Sequence, residues 1–248
     1  MNALLLRILA CLCMLLDHIG YAWGIGALRA VGRLAFPLFV FLIYNGYTHT
    51  SSRSRYALRL GLFALLSQLP FCLFLGYESY WYKGNVFVTL LLALLCLWAV
   101  DAMRQRKVLR ALCWLPPAVL FVCYFFGWVS SDYSARGILL ILVFYFVERT
   151  TLRGKVLTVF GMFLATYYSY FTGLGVNLLK GILGSGWSWP TVDHWTLMQL
   201  WGLLSAFVIF SFNGQKGSSG KHPKLVQYGF YLFYPVHQLI LWALRVWL

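Results

Sequence analysis

Apolar residues come along this chain in blocks of roughly 17–25 positions, the length an α-helix needs to cross bilayer hydrocarbon. Short clusters of Arg, Lys, Gly and polar residues separate them. The blocks lie near 4–23, 32–48, 59–76, 85–101, 108–127, 135–148, 155–171, 195–212 and 226–247, the sixth being short. They predict an all-α, polytopic integral membrane bundle of about nine transmembrane helices. No internal repeat, linker or low-complexity tract divides them, so residues 1–248 read as a single membrane-embedded domain. The first block begins like a signal peptide, with one Arg ahead of an apolar run, but Asp17 and His18 follow without a small-residue cleavage pattern. It is expected to remain as the first helix.

Composition agrees. The chain is 61% hydrophobic and only 10% charged, against roughly 25% charged in soluble domains. Too little polar surface is available to cover a core in water, so the bilayer is its solvent. The net charge of +14 invites a nucleic-acid reading, and the layout of the basic residues answers it. With the amino terminus in the cytoplasm, the inner side carries Arg7, then Arg53, Arg55 and Arg59, then Arg104, Arg106, Lys107 and Arg110, then Arg149, Arg153 and Lys155, then Lys216, Lys221 and Lys224. These are fourteen of the 20 Lys and Arg residues. Arg29, Arg33, Lys83, Arg136, Lys180 and Arg245 fall outside. Cytoplasmic loops are enriched in Lys and Arg in this way, so the charge reads as topology and no nucleic-acid partner is expected.

The six cysteines, Cys11, Cys13, Cys72, Cys96, Cys113 and Cys123, all fall inside predicted helices. Cys11 and Cys13 are about 200° apart around a helix and cannot chelate together. Core packing is the expected role, with no metal and no disulfide framework. The connection at 172–194 is rich in Gly and holds Trp187, Trp189, Asp193 and His194. It fits an aromatic belt at the bilayer surface or a lid over an outward pocket.

Ionisable residues at membrane depth are expensive and mark function by default. The first helix carries Arg7, Asp17 and His18. His18 lies eleven positions after Arg7, three turns plus about 20°, so both lie on one stripe with Cys11 and Met14, about 16–17 Å from end to end. That length suits an extended pantetheine arm. A cytoplasmic cation would meet phosphate, and the histidine would serve as general base for an acceptor nucleophile. The plainer reading is a snorkelling Arg and a hydrogen-bonded core His. Asp17 is rotated roughly 100° from His18 and should face another helix, with Arg33 as its partner, because an unpaired buried carboxylate is costly.

The runs Met14-Leu15-Leu16-Asp17-His18 and Gly32-Arg33-Leu34-Ala35-Phe36-Pro37-Leu38-Phe39 resemble the opening of the TraX family of conjugal pilin acetylases. The resemblance continues in Arg59-Leu60, Ser67-Gln68-Leu69-Pro70-Phe71, Trp81-Tyr82-Lys83-Gly84-Asn85 and Phe230-Tyr231-Leu232-Phe233-Tyr234-Pro235-Val236-His237, with Asp132-Tyr133 and Gly137 as a weaker echo. Arg7 followed by His18 also resembles the first-helix motif of the acyltransferase-three superfamily, and Tyr234 with His237 is similar to its terminal aromatic-histidine signature. The chain departs from that superfamily in having Asn45-Gly46 where Ser-Gly is usual, and in its nine helices where ten are usual.

These resemblances imply an acetyltransferase of the bacterial cytoplasmic membrane that takes acetyl groups from cytoplasmic acetyl-CoA. The acceptor would be an amine or hydroxyl at the outer face, either a pilin-like amino terminus or a cell-surface glycan. His18 and Asp17 are the expected catalytic pair, Arg7, Arg59 and Gln68 the cofactor-binding residues, and Arg33, Asn85, Tyr234 and His237 the substrate-binding ones. Several of these keep an alternative. Arg59 fits phosphate or topology, while Arg53 and Arg55 read as topology. Gln68 fits a tunnel wall or an interhelical hydrogen bond. Asn85 suits an oxyanion donor or a helix cap. His237, after the helix-kinking Pro235, suits a polar wall or a buried structural histidine. His49 and His222 read as solvated. Two rival classes stay open, a proton-coupled transporter or flippase built on the same Asp-His pair, and a non-catalytic pilus assembly factor. Neither repeated halves nor matched broken helices support the transporter.

Overall fold

The computed structural model describes residues 1–77, 82–184, 194–217 and 223–247, and no strand occurs among them. Helix α1 (Ala3–Ala22) starts where the Asn2 side chain accepts from the Leu5 N–H at 3.0 Å, which satisfies one of the donors a helix start leaves open. Helices α2 (Gly26–Gly32) and α3 (Ala35–His49) form one 24-residue span broken at Arg33 and Leu34. Pro37 falls in the first turn of α3, where its missing N–H is tolerated. Helix α4 (Arg53–Leu75) is capped by Ser52 and ends on Gly76, whose φ of 74° is the left-handed stop that glycine adopts freely. Helix α5 (Val86–Gln105) is capped by Asn85.

A 3₁₀ turn at Lys107–Leu112 leads into α6 (Leu115–Phe125). Then come α7 (Arg136–Phe146), α8 (Leu152–Thr166), α9 (Tyr168–Ile182), α10 (His194–Met198), a second 3₁₀ turn at Gln199–Leu204, α11 (Ser205–Phe210) and α12 (Pro223–Trp247).

Five stretches among the described residues are long and apolar enough to cross a membrane: Ala3–Ala22, Gly26–His49, Arg53–Leu75, Val86–Gln105 and Lys107–Phe125. The expected nine are therefore not reached. Hydropathy along the sequence registers apolar content but not helix breaks. The block at 135–148 yields only the 11 residues of α7, about 16 Å at 1.5 Å per residue. The block at 155–171 breaks at Tyr167 between α8 and α9, and the block at 195–212 divides into α10, a 3₁₀ turn and α11. Helix α12 has the length but spends it partly on Gln227, His237, Gln238 and several tyrosines. The connection expected at 172–194 is helical in its first part, as α9, and His194 opens α10. Trp187, Trp189 and Asp193 lie outside the described residues, as do Trp81, Lys221 and His222.

Helix α1 packs on α2, α3 and α12, while α4 packs on α5 and α12, and α7 on α3, α5 and α8. Leu6, Leu38, Leu60, Leu94, Ile141 and Phe144 from five different helices are fully buried at their meeting point. Outside this core, Leu58, Leu65 and Leu66 of α4 and Leu115, Val119, Val122 and Phe125 of α6 stand bare. A leucine surface of this extent is stable against lipid and unfavourable against water. The chain is a multi-pass membrane protein. Two contacts shape the end that carries the chemistry. A Cβ on Gly32 would coincide with the backbone and Cβ of Asp17, and one on Gly20 would come within 2.7 Å of the Arg29 side chain. Only glycine at these positions lets α2 lie directly on α1. At the opposite end, the Met1 ammonium donates to the Ser211 carbonyl at 2.6 Å and the Ala3 N–H to that of Gln215 at 2.8 Å, which folds the segment after α11 over the start of α1.

Candidate functional site

The predicted stripe on α1 runs between two cavities. One, of about 490 Å³, is lined by Arg7, Arg59, Lys216, His49 and Tyr231 among others. The second, of about 370 Å³, is lined by Asp17, His18, Arg33, Lys83, Asp132 and Gln238 among others. Four residues line both: Met14, Phe39, Val86 and Tyr234. A thin wall with a single hydroxyl thus separates a cavity at the Arg7 end from one at the His18 end.

Among the described residues, no carboxylate lines the first cavity. Arg7 and Lys216 make no ion pair among the described residues. Arg59 reaches the Tyr231 hydroxyl and lies over the Tyr56 ring at 5.5 Å, with its Nε buried and unpartnered. Such a lining suits an anion with several oxygens, since guanidinium groups match phosphate geometry. His49, expected to be solvated, is exposed; it stands at the edge of this cavity, and its ring meets the Asn45 carbonyl at 2.8 Å.

In the second cavity the structure joins His18 to His237, 219 positions away. Their rings lie 11° from parallel, with His18 Nδ1 and His237 Nε2 at 2.6 Å, and His237 Nδ1 meets the Phe233 carbonyl at 2.5 Å. These contacts assign the neutral tautomers. A carbonyl only accepts, so His237 Nδ1 carries the proton, its Nε2 accepts, and His18 Nδ1 must donate to it. The lone pair of His18 is therefore on Nε2, which has no hydrogen-bond partner among the described residues. A half-buried imidazole with its basic nitrogen fixed and free is what a general base requires.

Asp17 turns away from His18, as its rotation on α1 predicts, and its Oδ1 pairs with Arg33 Nη2 and with Arg29 Nε at 3.5 Å. Both Asp17 and Arg33 are buried. Across the cavity, Lys83 Nζ pairs with Asp132 Oδ1 at 3.4 Å, and burial pushes the Asp132 carboxyl up while Lys83 and Arg33 oppose that shift. Phe36, next in the Gly32-Arg33 run, stacks on Tyr133 at 3.6 Å.

Gln68 and Asn85 line neither cavity and bind each other. Asn85 Nδ2 donates to Gln68 Oε1 at 2.9 Å and to the Ala64 carbonyl at 2.7 Å, while its Oδ1 accepts from the Phe87 N–H at 2.9 Å. Gln68 Nε2 donates to the Lys83 carbonyl at 2.8 Å. The pair ties α4 to the start of α5, so of the readings left open the interhelical bond and the helix cap are the ones realised.

Three features escape sequence reasoning. Gln238, beside His237, is buried in the second cavity with its Oε1 unpartnered. Lys83 and Asp132 meet across 49 positions. Asp101 accepts from Tyr47 and Tyr145, each at 2.7 Å, and pairs with Arg53 at 3.1 Å, which ties together α3, α4, α5 and α7 away from both cavities. Only Gln238 had a usable signal, as an amide at depth in an apolar helix. The cysteines form no disulfide among the described residues, and no cluster among the described residues could hold a metal ion.

The model of the TraX protein family matches residues 3–245. A relative, the probable fimbrial assembly protein FimC of serogroup H1 from Dichelobacter nodosus, is 26% identical over 266 residues, which cover 100% of this chain and 97% of that protein. No solved structure matches. With a family match that leaves out only a few residues at either end, the chain belongs to the TraX family.

Proposed function

We propose that this protein is a membrane-embedded acetyltransferase, a single functional unit over its whole length, that serves a pilus-related system of a bacterial cytoplasmic membrane. The observation that carries this reading is the pair of cavities that approach from opposite ends of α1 and share only the wall of Met14, Phe39, Val86 and Tyr234. Acetyl-CoA enters the acid-free cavity from the cytoplasm, where Arg7, Arg59 and Lys216 hold its phosphates and the pantetheine arm follows the α1 stripe. The acceptor, an amine or hydroxyl of a pilin-like peptide or surface glycan, enters the second cavity. Family membership and the fimbrial relative support the pilus connection, and the likeness of the Arg7–His18 stripe to acyltransferase-three enzymes supports the chemistry.

His18 Nε2 takes the proton as the acceptor's nitrogen or oxygen bonds to the thioester carbonyl carbon. Collapse breaks the carbon–sulfur bond, and His18 returns the proton to the departing sulfur. His237 holds the base in its reactive tautomer. Asp17, neutralised by Arg33 and Arg29, stabilises the packing of α1 on α2 and the field around His18, and Gln68 with Asn85 keeps α4 and α5 in register beside Tyr234.

The name of the fimbrial relative favours a second reading, a non-catalytic assembly factor. Protein in lipid nanodiscs is incubated with radiolabelled acetyl-CoA and either a pilin-like peptide or a surface glycan. Label reaching the acceptor, and lost in His18→Ala, is the expected result. Failure to bind acetyl-CoA or to transfer label overturns the enzyme in favour of the assembly factor.

A further inference from the structure

The wall between the cavities is apolar apart from Tyr234, and a thioester carbonyl brought to that wall needs a hydrogen-bond donor as its oxygen becomes negative. Tyr234 is buried, its ring packed edge-on to Phe87 at 5.3 Å and 6.2 Å from the His18 ring. Its hydroxyl lies beside the Val86 backbone and the Gln238 side chain. Val86 opens α5, and its N–H is one of those a helix start leaves without an intrahelical partner. This N–H can only donate. The Gln238 Oε1 is unpartnered, and the Gln238 Nε2 can only donate. A phenol oxygen flanked by groups that can only donate has its own proton left to give. The amino-terminal end of α5, 20 residues long, adds a positive dipole end beside that oxygen and favours negative charge there.

From this geometry we infer that Tyr234 is a catalytic residue, the hydrogen-bond donor that stabilises the oxyanion formed at the shared wall, with Gln238 and the Val86 N–H as the groups that aim its proton. The inference rests on the acetyl-transfer reading. As the acceptor adds to the carbonyl carbon, the carbonyl π pair moves onto oxygen and Tyr234 O–H donates to it without giving up its proton. The acceptor's proton goes to His18 Nε2. When the carbonyl reforms, the carbon–sulfur bond breaks, the Tyr234 bond weakens, and the sulfur leaves with the proton from His18. The sum is acetyl thioester plus acceptor giving acetylated acceptor plus free thiol.

The test uses the full chain in nanodiscs, with acetyl-CoA and a pilin-like peptide. Tyr234→Phe keeps the ring that Phe87 and His18 pack against, so it should fold, bind acetyl-CoA with unchanged affinity and lose about 10²–10³ in kcat, the usual effect of removing one oxyanion donor. Gln238→Leu leaves the phenol in place but unaimed and should lose less, in kcat and not in KM. If Tyr234→Phe fails to fold, genetic replacement of Tyr234 by a fluorinated tyrosine, isosteric but a stronger donor, decides. A rise in transfer supports the assignment, and an unchanged rate overturns it. A Tyr234→Phe rate within threefold of wild type overturns it, as does a loss expressed wholly as weaker acetyl-CoA binding. Those results leave the acetyl-transfer reading standing, whereas absence of transfer by the wild type overturns both.

Discussion

His237→Phe probes the pairing of the two histidines most directly. Phenylalanine keeps an aromatic ring beside those of His18 and Phe233, whose centroids lie 4.8 Å from that of His237. The acceptor for His18 Nδ1 at 2.6 Å is lost. In the ground state both partners are neutral. In the transition state His18 gains the acceptor's proton, and its Nδ1–H bond to His237 becomes charge-assisted, worth about 1.5–3 kcal/mol. At 1.36 kcal/mol per decade, its removal should slow acetyl transfer by about 10- to 150-fold. Initial rates at saturating acetyl-CoA in nanodiscs measure this, alongside His18→Ala and the double variant. Residues that act as a unit are not additive, so the double variant should be no slower than His18→Ala, itself down by about 10²–10⁴-fold. Folded His237→Phe within twofold of wild type, or losses that multiply in the double variant, would refute the relay of tautomers.

Other consequences follow from the same geometry. Arg59→Ala and Arg7→Ala should each weaken acetyl-CoA affinity about 10-fold or more through loss of a charged hydrogen bond, with added salt weakening the wild type too, and Arg104→Ala, which lines neither cavity, should change little; equal losses in a titration of all three would mean diffuse charge in place of a site. Asp17→Ala leaves Arg33 buried without its counter-charge and should lower stability by about 3–5 kcal/mol, seen as a large drop in melting temperature. Asp132→Asn should behave oppositely at pH 7. Burial lifts the folded-state pKa of Asp132, so the folded chain disfavours its ionised form, and the wild type should gain stability relative to the variant as pH falls from neutral toward the ordinary carboxylate range near 4; a difference that shrinks on acidification contradicts this. Reporter fusions after Arg106 and Gly214 should report cytoplasm and those after Lys83 and Gly184 the outside, following the Lys and Arg asymmetry; a cytoplasmic signal from Gly184 would reverse the assignment of the two cavities.

How much of this was legible in the residues depends on the range over which each feature is decided. The first five spans follow from runs of apolar residues, because a stretch of that length is a local property. The later blocks are also apolar, but they break at Tyr167 and around Gln199–Leu204, and hydropathy does not register such breaks. On α1 the 3.6-residue period was enough to put Arg7, Met14 and His18 on the line that joins the cavities, and to turn Asp17 toward Arg33, because both results are geometry within two adjacent helices.

The remainder of the site closes over long distances in the chain, and there residue type alone leaves roles open. Gln68 and Asn85 have the chemistry of a binding wall, yet each satisfies the other, and a polar group already satisfied inside a low-dielectric core has little capacity left for a ligand. His237 has the chemistry of either a wall or a structural residue, and its contact with the Phe233 carbonyl one turn earlier decides its tautomer before His18 arrives. That tautomer then decides which nitrogen of His18 is basic. A carbonyl in the last helix thus determines the reactive atom in the first, which is why the candidate base could be named from α1 alone while the direction of its proton transfer could not. The same reasoning separates Gln238 from Gln68. Both are amides at membrane depth, but only Gln238 keeps an oxygen without a partner, and it keeps it beside the one hydroxyl that both cavities share.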